Sequence, residues 1–240
     1  MSGTVKTEAI VLRSIRYGEA DRILHLYTLE RGRVGAIAKG VRKPTSRFGG
    51  RLEPFFRLDL VLHEGRGELL TVTAAHTVAG FRRLREDAGS LDAAARACDA
   101  TGRLFDTSEA HPAVFHLLCN ELALLDADPA VATHANALAF RLKLLVAAGL
   151  APQLASCASC GESDHLTGFS GAAGGVVCSA CEASAFALDE EAHEFMVAAL
   201  ARPLAEAPSA PASALRQAER AILETVEHHA HLKFRPAARG

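Results

Sequence analysis

Near residue 81 the spacing of apolar side chains changes from every second residue to every third or fourth, so a β part precedes an α part. Over residues 4–12, Val5, Thr7, Ala9 and Val11 alternate with Lys6, Glu8, Ile10 and Leu12. Further apolar runs cover residues 23–29, 34–38, 55–63 and 69–75. Glu30-Arg31-Gly32-Arg33 and Glu64-Gly65-Arg66-Gly67-Glu68 join neighbouring runs and read as hairpin turns. Five short strands with one long loop between the third and fourth suit a small closed barrel. An OB-fold is the natural candidate, and an SH3-like barrel fits the same pattern.

Beyond residue 81 the punctuation is helical. Ser90 is placed to cap a helix running through Leu104. His111-Pro112 opens another, with Phe115, Leu118, Leu122 and Leu125 on one side. A third, over residues 130–148, ends at Gly149 with Pro152 beyond. Asp189 starts a helix holding Phe195 and Met196, and Ser213 is placed to cap the last, with Leu215, Ala218, Ile222 and Val226 as its stripe. The expected fold class is α+β and multidomain. An N-terminal OB-fold barrel over residues 1–80 is followed by a helical domain over 81–240, with a metal module inserted at about 153–184.

That module rests on Cys157-x-x-Cys160 and Cys178-x-x-Cys181, with seventeen residues between the pairs. The spacing matches a four-thiolate zinc pattern. Two residues between paired cysteines let a tight turn aim both sulfurs at one ion, and two such turns complete a tetrahedron. Gly161 stands where such a turn favours positive φ, and Gly174-Gly175 suits a β-turn returning the second pair. Four thiolates leave no open coordination position, so the expectation is one structural zinc per chain. Cys98 and Cys119 read as core residues.

The net charge is −2, but it is unevenly placed. Residues 1–80 carry thirteen Lys/Arg against eight Asp/Glu, and residues 81–240 carry thirteen against twenty. From Arg31 to Arg51 there are seven cations and no carboxylate. Within that run, residues 39–51 carry Lys39, Arg42, Lys43, Arg47 and Arg51, with Thr45, Ser46 and Phe48, punctuated by Gly and Pro. Cations, hydroxyls and free N–H groups are what phosphate contacts require. Arg31 and Arg33 would extend the track, and Phe48 and Tyr17 would offer stacking faces to unpaired bases. The same run would also serve as a solvated surface loop.

No P-loop, H-E-x-x-H, deaminase or nucleophile-elbow pattern occurs. Carboxylates such as Glu190 and Glu191 belong to a helix start, and His228, His229 and His231 to a helix end. The chain therefore reads as a non-enzymatic nucleic-acid-binding protein. Its rival is a metal-dependent hydrolase of nucleic acid, which would need an open metal site or clustered carboxylates. No apolar stretch approaches the roughly 20 residues of a membrane span. Lys6, Glu8 and Arg13 stand where a signal peptide would be apolar, and cysteines in a metal pattern fit a reducing compartment, so the expected location is cytoplasmic.

Several runs carry a family likeness. They are Ala9-Ile10-Val11-Leu12-Arg13-Ser14, Tyr17-Gly18-Glu19-Ala20-Asp21-Arg22-Ile23, Ala38-Lys39-Gly40-Val41-Arg42-Lys43 and Ser46-Arg47-Phe48-Gly49-Gly50. With Cys157-x-x-Cys160-Gly161, Phe169-Ser170, Gly174-Gly175 and Cys178-x-x-Cys181, they resemble the RecO family of bacterial recombination mediators. The second run departs at Ala20, where that family usually has a polar or acidic residue. The resemblance implies an OB-fold, a helical domain and a zinc module. It also implies binding of single- and double-stranded DNA, strand annealing, and work with RecR in replacing SSB by RecA, at the nucleoid. The C-terminal tail of SSB would dock on the helical half.

Overall fold

The computed structural model describes residues 3–46, Phe48, 50–65 and 67–237. It divides into two compact units, Met1–Ala127 and Asp128–Gly240. Among the described residues no helix is long and apolar enough to cross a membrane.

In the first unit β1 (Thr4–Tyr17), β2 (Asp21–Thr28), β3 (Gly32–Ala38), β4 (Arg57–His63) and β5 (Leu70–Ala79) close into a barrel. The order is β1-β2-β3-β5-β4, with β4 returning to β1 and β3 parallel to β5. This is the OB-fold. β1 runs five residues past its expected end because it serves both sides of the barrel. Its first half pairs with β4 (Thr4 to Ile10) and its second with β2 (Ala9 to Tyr17). A register shift between Val11 and Arg13 turns the strand from one partner to the other. At that bulge Val11 donates to the Phe56 carbonyl (3.0 Å) and accepts from the Phe55 amide (2.8 Å).

α1 (Arg82–Glu86), α2 (Ala88–Leu104) and α3 (Pro112–Ala127) complete this unit. The expected cap at Ser90 lies three residues earlier: the Asp87 carboxylate accepts from the Ser90 amide at 2.8 Å. Ser90 is itself buried inside the first turn. The segment after α2 covers part of the barrel wall. Tyr27 packs edge-on to Phe105 (6.5 Å between centroids), and the Arg33 amide donates to the Thr107 carbonyl at 3.0 Å. Gly32, at φ +56°, is required there, because a Cβ would lie 2.0 Å from the Glu109 carbonyl oxygen. These contacts carry the compact body past the end of the barrel to Ala127.

The second unit packs α4 (His134–Ala147), α5 (Glu190–Ala201) and α6 (Ala212–Ala230) beside a three-stranded sheet. Thr133 caps α4, accepting from the Asn136 amide at 3.1 Å, and Gly149 ends it at φ +72°. Pro211, not Ser213, stands at the N-cap of α6. The expected apolar stripes meet inside: Leu138, Leu142, Phe195, Met196 and Ile222 are all buried. The sheet is β7-β6-β8, built from β6 (Leu166–Ser170), β7 (Gly175–Cys178) and β8 (Phe186–Ala187).

Candidate nucleic-acid interface and metal centre

The long connection between β3 and β4 is an anchored cap on the barrel. Val41, Phe48, Leu52 and Phe56 are buried and join the barrel core with Leu24, Leu58 and Leu60. Its turns close internally: the Lys43 amide reaches the Gly40 carbonyl (3.1 Å), and the Ser46 amide the Lys43 carbonyl (2.9 Å). The apolar residues point in, so Lys39, Arg42, Lys43 and Arg51 are left exposed between them. Side chains of Lys39, Arg42 and Lys43 make no hydrogen bond or ion pair among the described residues. Arg47 lies outside the described residues. Phe48 is 3% exposed, so its ring is a plug and offers no stacking face.

The β1–β2 hairpin holds this cap in place. Asp21 Oδ1 accepts from the Gly40 amide at 2.7 Å, and the Ala20 carbonyl from the Arg42 amide at 2.9 Å. Arg22 makes a two-pronged pair with Glu53, Nη1 to Oε2 at 3.0 Å and Nη2 to Oε1 at 2.8 Å. Its Nη1 also donates to Ser14 Oγ at 2.9 Å. The contact at Ala20 uses the backbone alone, so the side chain at that position does not affect it.

Arg31 and Arg33 are engaged elsewhere. Arg31 pairs with Glu64, and Arg33 Nη1 donates to the Gly102 carbonyl at 3.0 Å. The outer wall of the barrel supplies other candidates. Ile15, Ile23, Ile37 and Thr71 stand opposite one another across four strands, and Arg13, His25 and Gly35 form the next row. Tyr17, at the hairpin tip, is 53% exposed. Burial, then the charges of Arg33 and Arg13, push the His25 pKa below its ordinary value. The wall thus combines apolar surface with positive potential.

In the second unit the four predicted cysteine sulfurs converge within 4.8 Å of one another. Each pair turns as its spacing demands. The Gly161 amide reaches the Cys157 carbonyl (2.9 Å) with Gly161 at φ +83°, and the Cys181 amide reaches the Cys178 carbonyl (2.9 Å). The β6–β7 turn passes through Gly174 at φ +80°, returning Cys178 to the first pair. Backbone N–H groups, that of Cys178 foremost, bring the Cys157 thiol down to about 6 against the opposing effect of burial. The sulfurs of Cys160 and then Cys178 push Cys181 up to about 12. Adjacent thiolates repel, and a cation among them relieves that repulsion. The quartet has the donors to hold one metal ion.

Both halves of the chain match known sequences. Residues 1–81 match the family described as Recombination protein O N terminal, and residues 85–236 match Recombination protein O C terminal. The chain belongs to the RecO family. A DNA repair protein RecO of Rubrobacter xylanophilus is 40% identical over 228 residues, covering 93% of this chain and 90% of that protein. Another, from Anaeromyxobacter dehalogenans, is 39% identical over 242 residues, covering 94% and 91%. A third, from a Nocardioides species, is 42% identical over 184 residues, or 73% of each chain.

For a RecO-family chain the notable addition is the role of the hairpin run 17–23. The cation loop was legible from charge alone, whereas the residues holding it were not. Asp21 and Glu53 are negative, Arg22 is neutralised by Glu53, and the three carry no phosphate-binding pattern. Their signal is spatial, because strand pairing brings Arg22 opposite Ala38, at the point where the loop begins.

Proposed function

We propose that this protein is a non-enzymatic DNA-binding recombination mediator. In this reading it binds single- and double-stranded DNA and anneals complementary strands. With RecR it helps load RecA onto single strands coated by SSB, in the cytoplasm at the nucleoid. The observation that carries the reading is the anchored cap of the OB barrel, which presents Lys39, Arg42 and Lys43 to solvent on fixed backbone. Arg51 stands exposed on the same loop, and Arg47 belongs to the same run. Cations on fixed backbone bind phosphates without the ordering cost that a flexible loop would bear. Tyr17 and the isoleucine row supply apolar surface for bases beside that track. Arg31 and Arg33 act mainly within the fold and contribute to the field at longer range.

Residues 1–80 would bear the DNA site, and residues 81–240 would serve as scaffold and protein-docking domain, SSB tail included. The metal is zinc, held by Cys157, Cys160, Cys178 and Cys181 as a staple. Sulfurs about 2.3 Å from zinc form a tetrahedron with edges of about 3.8 Å. Cys160 Sγ and Cys178 Sγ are 3.7 Å apart, which supports that assignment. Bound zinc would supply charge neutralisation and cross-linking, and the closed thiolate set leaves no place for an activated water.

Replacing Lys39, Arg42 and Lys43 together by Gln tests the reading. If each cation holds one phosphate, the slope of log K against log salt falls by about 0.7 per cation on single strands and about 0.9 on duplex. Affinity should fall on every sequence, and annealing of SSB-coated strands should fall with it. An unchanged affinity and slope would remove the loop from the DNA site.

A further inference from the structure

Two carboxylates sit within the cation site, where charge alone would disfavour them. Asp21 accepts the Gly40 amide at 2.7 Å, one residue from Lys39 and two from Arg42. Glu53, near the far end of the loop, is held by Arg22 through both terminal guanidinium nitrogens. Gly40 itself sits at φ +66°, so the chain turns sharply where Asp21 grips it. Between these grips run the exposed cations, and the Ala20 carbonyl adds a third hold through the Arg42 amide.

We propose that Asp21 and the Arg22–Glu53 pair are positioning residues for DNA binding, fixing the two ends of the cation loop so that its charges present a preformed phosphate track. This rests on the reading of the loop as a DNA site. The carboxylates act through geometry and against electrostatics. Each removes a positive charge from the net field, yet each holds in place the backbone from which the cations project. A charged carboxylate accepting a backbone N–H is a stronger tether than a neutral acceptor, which accounts for a negative group in a site built for anions.

The opposed signs make a clean test. Asp21→Asn and Asp21→Ala lose the same charge, but only Asn keeps an acceptor for the Gly40 amide. Binding of a labelled single-stranded oligonucleotide is measured at several salt concentrations, with amide exchange followed at Gly40 and Arg42. Asp21→Asn should bind at least as tightly as the native protein. Asp21→Ala should bind about three- to tenfold more weakly than Asp21→Asn, the scale of the one neutral hydrogen bond that Asn keeps and Ala loses. Its Gly40 and Arg42 amides should also exchange faster. Glu53→Gln against Glu53→Ala repeats the comparison at a half-exposed side chain, and it decides the matter if Asp21→Ala fails to fold. Equal affinity within each pair, or tighter binding by the Ala variants, overturns the inference. The Lys39, Arg42 and Lys43 triple Gln variant separates the two levels. If it binds like the native protein, the DNA reading of the loop falls and this inference with it. If it binds weakly while Ala and Asn variants agree, only the positioning role falls.

Discussion

The cation loop at residues 39–56 and the cysteine module at about residues 153–184 are both short segments, yet they are held in opposite ways. The loop drives Val41, Phe48, Leu52 and Phe56 into the barrel core, and each is one member of a large apolar cluster. The module's own cluster has only Cys157, Val177 and Cys178 as buried members, and two of those are sulfur ligands. Loss of one plug should therefore be a graded injury to a whole domain. Loss of the ion should be a complete injury confined to the module. Around the sulfurs the motif stands in for a core, while the adjoining strands also bury Phe169, Val176 and Phe186.

The largest expected effect lies in the module. Apparent binding energies of structural zinc reach about 10–16 kcal/mol in small metal-folded peptides, far above any single apolar contact. Stripping the metal with a strong chelator, or changing Cys178→Ser, should abolish amide-exchange protection in the two cysteine turns, residues 157–161 and 178–181, while β1 to β5 keep theirs. Intact protection after the metal is removed would break the comparison, since the module would then be shown to hold itself.

The loop should respond by degrees. Leu52 is 1% exposed, and truncating such a leucine leaves a cavity that costs about 2–5 kcal/mol. Leu52→Ala should lower the unfolding free energy of the barrel-containing unit by that amount, read from urea titration. Arg42→Gln, a surface change on the same loop, should stay within about 0.5 kcal/mol. A Leu52→Ala protein as stable as the Arg42→Gln protein would mean that the loop is not plugged.

The same contrast explains what could be seen in the sequence. The cysteine spacing is local chemistry, and Gly161 and Gly174 take the positive φ that the turns demand. The helical stripes are local too, and Leu118, Leu122 and Leu125 are buried as their spacing requires. The barrel's closure is not local: β1 pairs with β4 some fifty residues away, and its second half, Arg13 to Tyr17, offers only Ile15 and Tyr17 as apolar alternates. Phe48 departs from its expected role for a related reason. An aromatic ring among cations suits stacking on bases, but the alternation of Val41, Phe48, Leu52 and Phe56 with the cations marks a loop with an inner and an outer side. Ser90 and Asp87 are both good capping residues three positions apart. Only the hydrogen bond decides between them.

The smallest expected effect tests whether the outer wall of the barrel carries a positive field of its own. His25 lies on the outer row between Arg13 and Gly35, and its pKa is held below 6.5 by burial, then by Arg33 and Arg13. A group with a depressed folded-state pKa binds fewer protons folded than unfolded. Above pH 6.5 the ring is neutral in both states and contributes no pH dependence. As pH falls below 6.5 the unfolded chain takes up its proton first, so folding stability declines until the folded-state pKa is passed. The side chain is only half-buried, so solvent and salt screen the effect and keep it small. Comparing urea midpoints of the native protein and a His25→Gln variant across this range should show the native protein losing more stability toward acid. Added salt should narrow the gap by screening Arg33 and Arg13, leaving the part due to burial. If instead the gap vanishes at low salt, or the variant is the more acid-sensitive of the two, Arg33 and Arg13 do not give the wall a positive field.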